Sequence, residues 1–311
     1  MSWNILTPDE GRLDASKLAL ADREIFAKFP NVLSMLIVRD GSIVYERYYR
    51  NMGPDDAVPV MSVNKSILSA LIGIALQKGI LSSLDQPVLD FFPEMVIQDI
   101  DPNVLILNLR HLLTMSSGLY YPRLAGDSQP IWQRTILSRN WIEFSLKLPV
   151  RDAMGMQVNY KNTDALILAA CLCRATDATI GDLAQEWLFE PLGLNIHQWE
   201  AEDPQRLGIG ALKMTARDMA TFGQLYLQKG TWEGYQLIPE EWIVTSTSSQ
   251  LGNFGFLWWI EKDGFSASGA GGSLIRVIPE KRIVVVFQTK HLKRFKDPRD
   301  IIDRYVRAAV Y

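Results

Sequence analysis

The sequence predicts an α+β fold in which one antiparallel sheet, flanked by terminal helices, carries an inserted helical domain. Two strand-like runs occupy residues 32–39 and 42–49, further strand-like runs return near the C-terminus, and the stretch between them has helical apolar spacing. Strands at the two ends of a chain most simply bury their apolar faces in a single sheet. We therefore expect residues 1–60 and 250–311 to form the sheet domain and residues 61–249 a mostly helical domain, with the active site in the crevice between them.

Local signals support each element of this fold. The two N-terminal strands are joined by Asp40 and Gly41, and a two-residue Asp-Gly connection is a strong hairpin signal. Apolar residues at helical spacing predict helices over residues 14–29, 62–78, 109–115, 132–148, 164–174, 180–188, 216–228 and 300–310. Extended runs near the C-terminus cover residues 255–261, 265–268, 273–278 and 282–289.

Composition argues against several classes of function. The chain has 35 acidic and 32 basic residues and a net charge of -3, which gives no general attraction to nucleic acid or to anionic membranes. Its start shows no signal peptide, and its apolar runs are too short to span a bilayer, so we expect a soluble, cytoplasmic protein. The three histidines lack metal-binding spacing and no nucleotide-binding glycine motif occurs, so we expect no metal and no cofactor.

Ser62 and Lys65 form an S-x-x-K motif at the start of the helix predicted over residues 62–78. This helix is apolar on almost every side and ends at Gly79, which indicates that it lies in the middle of the fold. Side chains three residues apart on a helix share a face and can touch. The first turn also offers the serine free backbone N–H groups and the positive end of the helix dipole. At the head of a buried helix, the pair is as consistent with a serine nucleophile and a lysine that exchanges its proton as with a chance occurrence of the motif.

Tyr160, Lys161 and Asn162 lie in a loop directly before the helix predicted from residue 164. A tyrosine beside an ammonium group can act as a general base. The Asn162 amide can face either a substrate carbonyl or Lys65. On its own this segment is better explained as a surface loop that caps the next helix, and a catalytic interpretation is favoured only together with Ser62.

A glycine-rich stretch over residues 269–273 leads into one of the late strands. Glycines allow the backbone to approach a ligand closely. A backbone N–H in this stretch can complete an oxyanion hole with the N–H of Ser62, and losing one such donor typically costs about 3–4 kcal/mol of barrier.

In order and context, the three segments resemble those of the serine β-lactamase, penicillin-binding-protein and family VIII esterase group, which includes 6-aminohexanoate-oligomer hydrolases. The likeness is to the class C-like branch and spans roughly residues 30–290. It implies the β-lactamase/transpeptidase-like fold. Other stretches common in that group are IVYERYY (43–49), LLTMSSGL (112–119), MTARDMA (214–220), IPEEW (238–242) and FGFLWW (254–259).

The resemblance implies a role for each motif residue. Ser62 forms an acyl-enzyme, while Lys65 and Tyr160 share its proton and pass it to the leaving group. Which of the two is the formal base stays open, because strongly coupled groups titrate as a unit. Asn162 matches the last position of the Y-x-N motif, and the N–H groups of Ser62 and Ser273 form the oxyanion hole. The other residues expected at the oxyanion hole or the substrate are Ala270, Gly271 and Gly272.

Ala270 departs from the pattern of that group. Penicillin-recognising members carry Lys in this third motif, and many esterase-like members carry His or Trp. An alanine methyl cannot pair with a substrate carboxylate, which counts against β-lactamase or D,D-carboxypeptidase activity as the main function. A substrate with a free carboxylate would need a basic side chain elsewhere, for example Lys161 or Arg276.

Aromatic residues near the motifs are candidates for an apolar acyl pocket. Strand alternation places Trp258 and Trp259 on opposite sides, so at least one of them belongs to the core. For His111 we expect a structural hydrogen bond. The candidate pocket residues are Tyr120, Tyr121, Trp132, Trp258 and Trp259.

These observations favour a serine hydrolase that cleaves small carboxylic esters in two steps through an acyl-enzyme. An ester is favoured over an amide because its leaving group is better. The alternatives are an amide hydrolase of the aminohexanoate-oligomer type, a β-lactamase or D,D-peptidase-related activity, and a binding or sensor protein that acylates once and hardly turns over. The natural substrate, the deacylation rate and the oligomeric state cannot be derived from the sequence.

Overall fold

The structure, a computed structural model, describes residues 3–95, 100–122, 129–194, 196, 199, 212–292 and 295–311. The strands are β1 (Val32–Arg39), β2 (Ser42–Tyr48), β3 (Val58–Pro59), β4 (Lys213–Met214), β5 (Thr231–Trp232), β6 (Tyr235–Gln236), β7 (Trp259–Glu261), β8 (Gly264–Ser268), β9 (Leu274–Ile278) and β10 (Ile283–Thr289). The helices are α1 (Ala15–Lys28), α2 (Asn64–Gln77), α3 (Leu109–Leu113), α4 (Pro130–Leu137), α5 (Trp141–Leu146), α6 (Asn162–Thr176), α7 (Ile180–Ala184), α8 (Ala216–Leu227), α9 (Glu240–Ser246), α10 (Arg299–Ile301) and α11 (Arg307–Ala309).

Six strands form one antiparallel sheet in the order β2-β1-β10-β9-β8-β7. The N-terminal hairpin joins the late strands through β1 and β10, whose register pairs Ile37 with Val285. Asp40 and Gly41 have φ angles of 51° and 79°, as the predicted two-residue hairpin turn requires. The α+β class and the sheet expected from both ends of the chain are therefore confirmed. The remaining short strands form two pairs, β3 with β4 and β5 with β6.

Both faces of the central strands β1 and β10 are buried, so apolar residues fill consecutive positions of these strands instead of alternating with polar ones. On one face, Met35 and Ile37 share a core with Leu18 of α1 and with the helical segment at the C-terminus. On the other face, Leu36 and Val38 belong to a larger core that includes α2, α6 and α8. The sheet thus separates the terminal helices from the helices inserted between its strands.

Helix α2 is buried from Asn64 to Ala75, in agreement with its apolar sequence. It is preceded by a 3₁₀ turn at Met61–Val63, and Gly79, with a φ angle of 69°, follows its C-terminal end. The start of this helix therefore lies well inside the fold. None of the helices in the described ranges is long and apolar enough to cross a membrane.

The prediction of one continuous helix over residues 132–148 is wrong, because the structure has two helices there. α4 ends at Leu137, and α5 begins after Asn140. The Asn140 side chain accepts the N–H groups of Ile142 and Glu143 and so starts a new helix, a local interaction that competes with a continuous helix.

Two predicted elements near the C-terminus also differ from the structure. The strand predicted over residues 255–261 begins only at Trp259, because Leu257 has a φ angle of 62°, which a strand does not allow. The helix predicted over residues 300–310 is interrupted by a π-helical turn at Ile302–Val306, between α10 and α11.

Candidate active site

Ser62 lies in the 3₁₀ turn that leads directly into α2. Its neighbour Met61 has a φ angle of 53°, in the left-handed region that residues with side chains seldom adopt. Such a conformation costs about 1–3 kcal/mol and occurs preferentially at functional sites. The sequence motif identified the serine, but it carried no signal for this strained residue.

Lys65 contacts Ser62 as the S-x-x-K spacing predicted. Its Nζ donates a hydrogen bond to Ser62 Oγ over 2.9 Å. The Lys65 side chain is buried, with 3% of it exposed, whereas Ser62 is half-buried. When the amine is neutral, the same contact allows the hydroxyl to donate to Nζ instead. The geometry therefore suits proton exchange between the two side chains.

Tyr160 lies beside the same lysine. Lys65 Nζ is 5.5 Å from the centre of the Tyr160 ring. The ring stacks on Trp259 with 5.6 Å between centroids and meets Phe254 edge-on at 6.2 Å. These aromatic contacts restrict the orientation of the ring. Tyr160 and the S-x-x-K pair, far apart in the sequence, are thus close together in the fold.

Two hydrogen bonds fix the segments that carry these side chains. The Asn159 N–H donates to the Met115 carbonyl over 2.8 Å and ties the Tyr160 loop to the residues that follow α3. The Ser66 hydroxyl donates to the Leu257 carbonyl over 2.8 Å and ties α2 to the loop before β7. Met115 and Leu257 both have positive φ angles, 54° and 62°. Sequence reasoning identified none of these four residues, since hydrogen bonds between distant segments leave no local pattern.

The turn that follows β8 packs directly against the segment that precedes Ser62. Gly269 has a φ angle of -118°, which any residue can adopt, so its backbone conformation does not demand glycine. Space does demand it, because a Cβ at this position would lie 2.4 Å from the Val60 carbonyl oxygen and 3.1 Å from Met61 Cβ. The close backbone approach expected of this glycine-rich stretch therefore occurs beside Ser62.

The other residues of this turn differ in exposure. Gly271 and Gly272 are buried and have φ angles of 83° and 97°, which favour glycine. Ser273 is 1% exposed, and its hydroxyl is within hydrogen-bond distance (3.1 Å) of Thr289 Oγ1 inside the sheet. Ala270 is exposed and directly follows Gly269. Among the residues of this turn that were predicted at the oxyanion hole or the substrate, Ala270 is thus the exposed one.

The two basic residues considered as carboxylate anchors are buried in other interactions. Lys161 is 1% exposed and donates to the Leu119 carbonyl over 2.8 Å. Arg276 is 3% exposed and pairs with Asp263 and Glu261. The expectation that either one anchors a substrate carboxylate is therefore wrong, because both side chains are buried and already bonded to other groups of the protein.

The candidate pocket aromatics occupy different environments. Trp258 is fully buried, and its ring lies 4.5 Å from the ring of Tyr226 in an aromatic core cluster, so it cannot line an open pocket. Trp259 is half-buried against Tyr160. The burial of Trp258 confirms the prediction that at least one tryptophan of the pair belongs to the core. Tyr120 is 42% exposed, and Trp132 is half-buried. A pocket role for Tyr120, Trp132 and Trp259 stays a prediction.

Asn162 and His111 also have defined partners. Asn162 begins α6, and its Nδ2 donates to Gln129 Oε1 over 3.2 Å. The Tyr121 hydroxyl donates to the same oxygen over 2.9 Å. His111 Nδ1 accepts the N–H of Asn108 in a capping box at the start of α3, which confirms its predicted structural hydrogen bond. Burial lowers the pKa of His111 below its usual value, because charging the ring would be unfavourable there.

The fold and the grouping of Ser62, Lys65 and Tyr160 point to one family of proteins. A family model for β-lactamase matches residues 24–309, nearly the whole chain. The chain therefore belongs to the β-lactamase family, and the predicted resemblance is confirmed.

Particular members of the family show the range of activities among its relatives. The 6-aminohexanoate-dimer hydrolase of Paenarthrobacter ureafaciens is 23% identical over 307 residues, which cover 88% of this chain and 76% of that protein. Esterase EstB of Burkholderia gladioli is 25% identical over 226 residues, which cover 66% of this chain and 57% of that protein. Among solved structures, the β-lactamase/D-alanine carboxypeptidase of Pseudomonas syringae matches with a TM-score of 0.76 at 14% identity, over 96% of this chain and 99% of that one. The last likeness shows the shared fold.

Proposed function

We propose that this protein is a serine hydrolase that forms an acyl-enzyme on Ser62 and cleaves small carboxylic esters. The proposal rests above all on the 2.9 Å contact between Lys65 Nζ and Ser62 Oγ at the start of a buried helix. Tyr160 beside the lysine supplies a second group that can carry a proton. Membership of the β-lactamase family supports the class of reaction.

Acylation begins when Ser62 loses its proton to the coupled Lys65 and Tyr160 pair and Oγ attacks the ester carbonyl. The tetrahedral intermediate then collapses, and the alcohol leaves with a proton that Tyr160 delivers. In the second step water takes the place of the alcohol, attacks the acyl-enzyme and restores the free serine. The same two side chains move the proton in both steps.

The oxyanion of the intermediate is stabilised by the backbone N–H groups of Ser62 and Ala270. We choose Ala270 over Ser273 because Ser273 is buried inside the sheet, whereas Ala270 is exposed. Gly269, which precedes Ala270, packs against the residues just before the nucleophile. This contact brings the turn within reach of the reacting carbonyl.

An amide hydrolase is the second candidate, favoured by the similarity to the 6-aminohexanoate-dimer hydrolase. Against it, Lys161 and Arg276 are occupied by buried partners and cannot bind the carboxylate of a linear amide. Ala270 likewise offers no charge to a β-lactam carboxylate. An ester without a charged group therefore fits the described residues best.

The test is hydrolysis of p-nitrophenyl butyrate by the purified protein and by Ser62→Ala, with the exposed Ser83→Ala as matched control. We expect turnover by the wild type and by Ser83→Ala, and a loss of at least about 10³-fold in Ser62→Ala, since the nucleophile is absent. Equal rates in Ser62→Ala and the wild type would exclude the acyl-enzyme. A stoichiometric burst followed by no turnover would instead identify an acylated sensor, and faster cleavage of the matching anilide would identify an amidase.

A further inference from the structure

We infer that Lys161 is a positioning residue that holds Tyr160 in place through the loop at residues 117–119. The inference rests on the proposed role of Tyr160 in proton transfer. Lys161 directly follows Tyr160 in the chain, yet it is one of the largest fully buried side chains of the protein. A buried ammonium beside a catalytic side chain calls for a physical reason, because desolvating a charge is costly.

The contacts of Lys161 form a chain of hydrogen bonds. Its Nζ donates to the Leu119 carbonyl over 2.8 Å and to Ser117 Oγ over 3.2 Å. The Ser117 hydroxyl in turn donates to Asp164 Oδ1 over 2.7 Å. Ammonium, hydroxyl and carboxylate thus connect the start of α6 with the loop after α3.

This chain of hydrogen bonds places a lysine and a carboxyl group together in the interior. Asp164 is fully buried, and burial raises the pKa of its carboxyl group, while Lys161 and the hydrogen bond from Ser117 act in the opposite direction. Replacing a buried ion pair with apolar side chains is often neutral for stability. Stability alone therefore does not explain a buried lysine and a buried carboxyl group that are bridged by Ser117 at this position.

Geometry supplies the explanation. On one side of Tyr160, the Asn159 N–H donates to the Met115 carbonyl. On the other side, the Lys161 side chain donates hydrogen bonds to Ser117 and Leu119, which follow Met115 by two and four residues in the chain. Tyr160 is therefore held from both sides by one segment, and Lys161 sets its distance from Lys65 and Ser62.

Lys161→Met keeps the length of the side chain and removes these hydrogen bonds. A displaced Tyr160 affects most the step in which it protonates the leaving group. We expect kcat for ethyl butyrate, whose alcohol needs that proton, to fall by about 10²-fold. For p-nitrophenyl butyrate, whose phenolate leaves without a proton, we expect a fall of less than about 10-fold. The KM values should change little, because Lys161 does not touch the substrate.

The design separates positioning from folding. Active sites are counted by labelling with a fluorophosphonate, so that kcat is expressed per reactive serine. Because Lys161→Met leaves Asp164 without its cation, the double variant Lys161→Met/Asp164→Asn is measured beside it, and the exposed Lys229→Met serves as control. The double variant should show the same selective loss on ethyl butyrate.

The positioning role would be overturned if the double variant lost the same fraction of kcat on both esters, or lost none on either. The Ser62→Ala experiment reports on the proposed function separately. If Ser62→Ala is inactive while the Lys161 variants keep the wild-type ratio of kcat values for the two esters, the positioning role is wrong and the acyl-enzyme proposal stands. If Ser62→Ala keeps full activity, the proposed function fails and this inference fails with it.

Discussion

Replacing Gly269 with alanine tests how closely the turn after β8 must approach the nucleophile. The added Cβ would lie 2.4 Å from the Val60 carbonyl oxygen. A relaxed carbon–oxygen contact is about 3.3 Å, so the turn and the Ser62 segment must separate by about 0.9 Å. Misplacing catalytic groups by about 1 Å can cost about 10²-fold in rate. We therefore expect kcat for p-nitrophenyl butyrate to fall about 10²-fold in Gly269→Ala.

The matched control for this substitution is Gly53→Ala. A Cβ at Gly53 meets its nearest atom, Asp56 Oδ2, at 3.8 Å, and its φ angle is not positive. Gly269 also has an extended φ angle, so neither substitution strains the backbone directly. The assay is kcat per fluorophosphonate-labelled site at a temperature well below both melting transitions. Wild-type kcat in Gly269→Ala would refute the reasoning, since it would mean that the 2.4 Å approach is not needed for catalysis.

Two further predictions concern Tyr160 and Glu24. Tyr160→Phe keeps the stack on Trp259 but removes the hydroxyl, so kcat for ethyl butyrate should fall by about 10²–10⁴-fold with little change in melting temperature. A wild-type rate on this ester would contradict a proton-transfer role. On α1, hydrogen bonds from Tyr305 and Arg304 lower the pKa of Glu24 from 4.5 to about 2. The stability that this carboxylate contributes is complete above about pH 4.5 and is lost as the pH falls toward 2. The melting temperatures of Glu24→Gln and the wild type should therefore differ most at neutral pH and converge in acid. A difference in melting temperature that does not change with pH would argue against a stabilising Glu24 carboxylate.

Local patterns in the sequence were sufficient for much of the fold. The Asp-Gly turn, the apolar strands and the buried α2 follow from interactions within a few residues, and the structure contains all of them. The contact between Ser62 and Lys65 was predictable for the same reason, because one helical turn brings them together. Family motifs then indicated Tyr160, and the structure places it beside Lys65.

Apart from the helix that Asn140 divides locally, the main errors of prediction depend on contacts between distant segments. Leu257 leaves the strand conformation where its N–H donates to the Leu113 carbonyl and its carbonyl accepts from Ser66. Lys161 and Arg276 had the charge of a substrate anchor, but partners far away in the sequence hold both inside the protein.

By itself, the sequence determined the class of fold and the contact between Ser62 and Lys65, since these follow from periodicity and from spacing within one helical turn. Only the tertiary structure decided that Lys161 and Arg276 are buried and how near the Gly269 turn comes to the segment before Ser62. The physical reason is that burial and close approach depend on which segments pack together. That packing is set by the shape and polarity of all the neighbours of a residue, and not by its position in a local pattern.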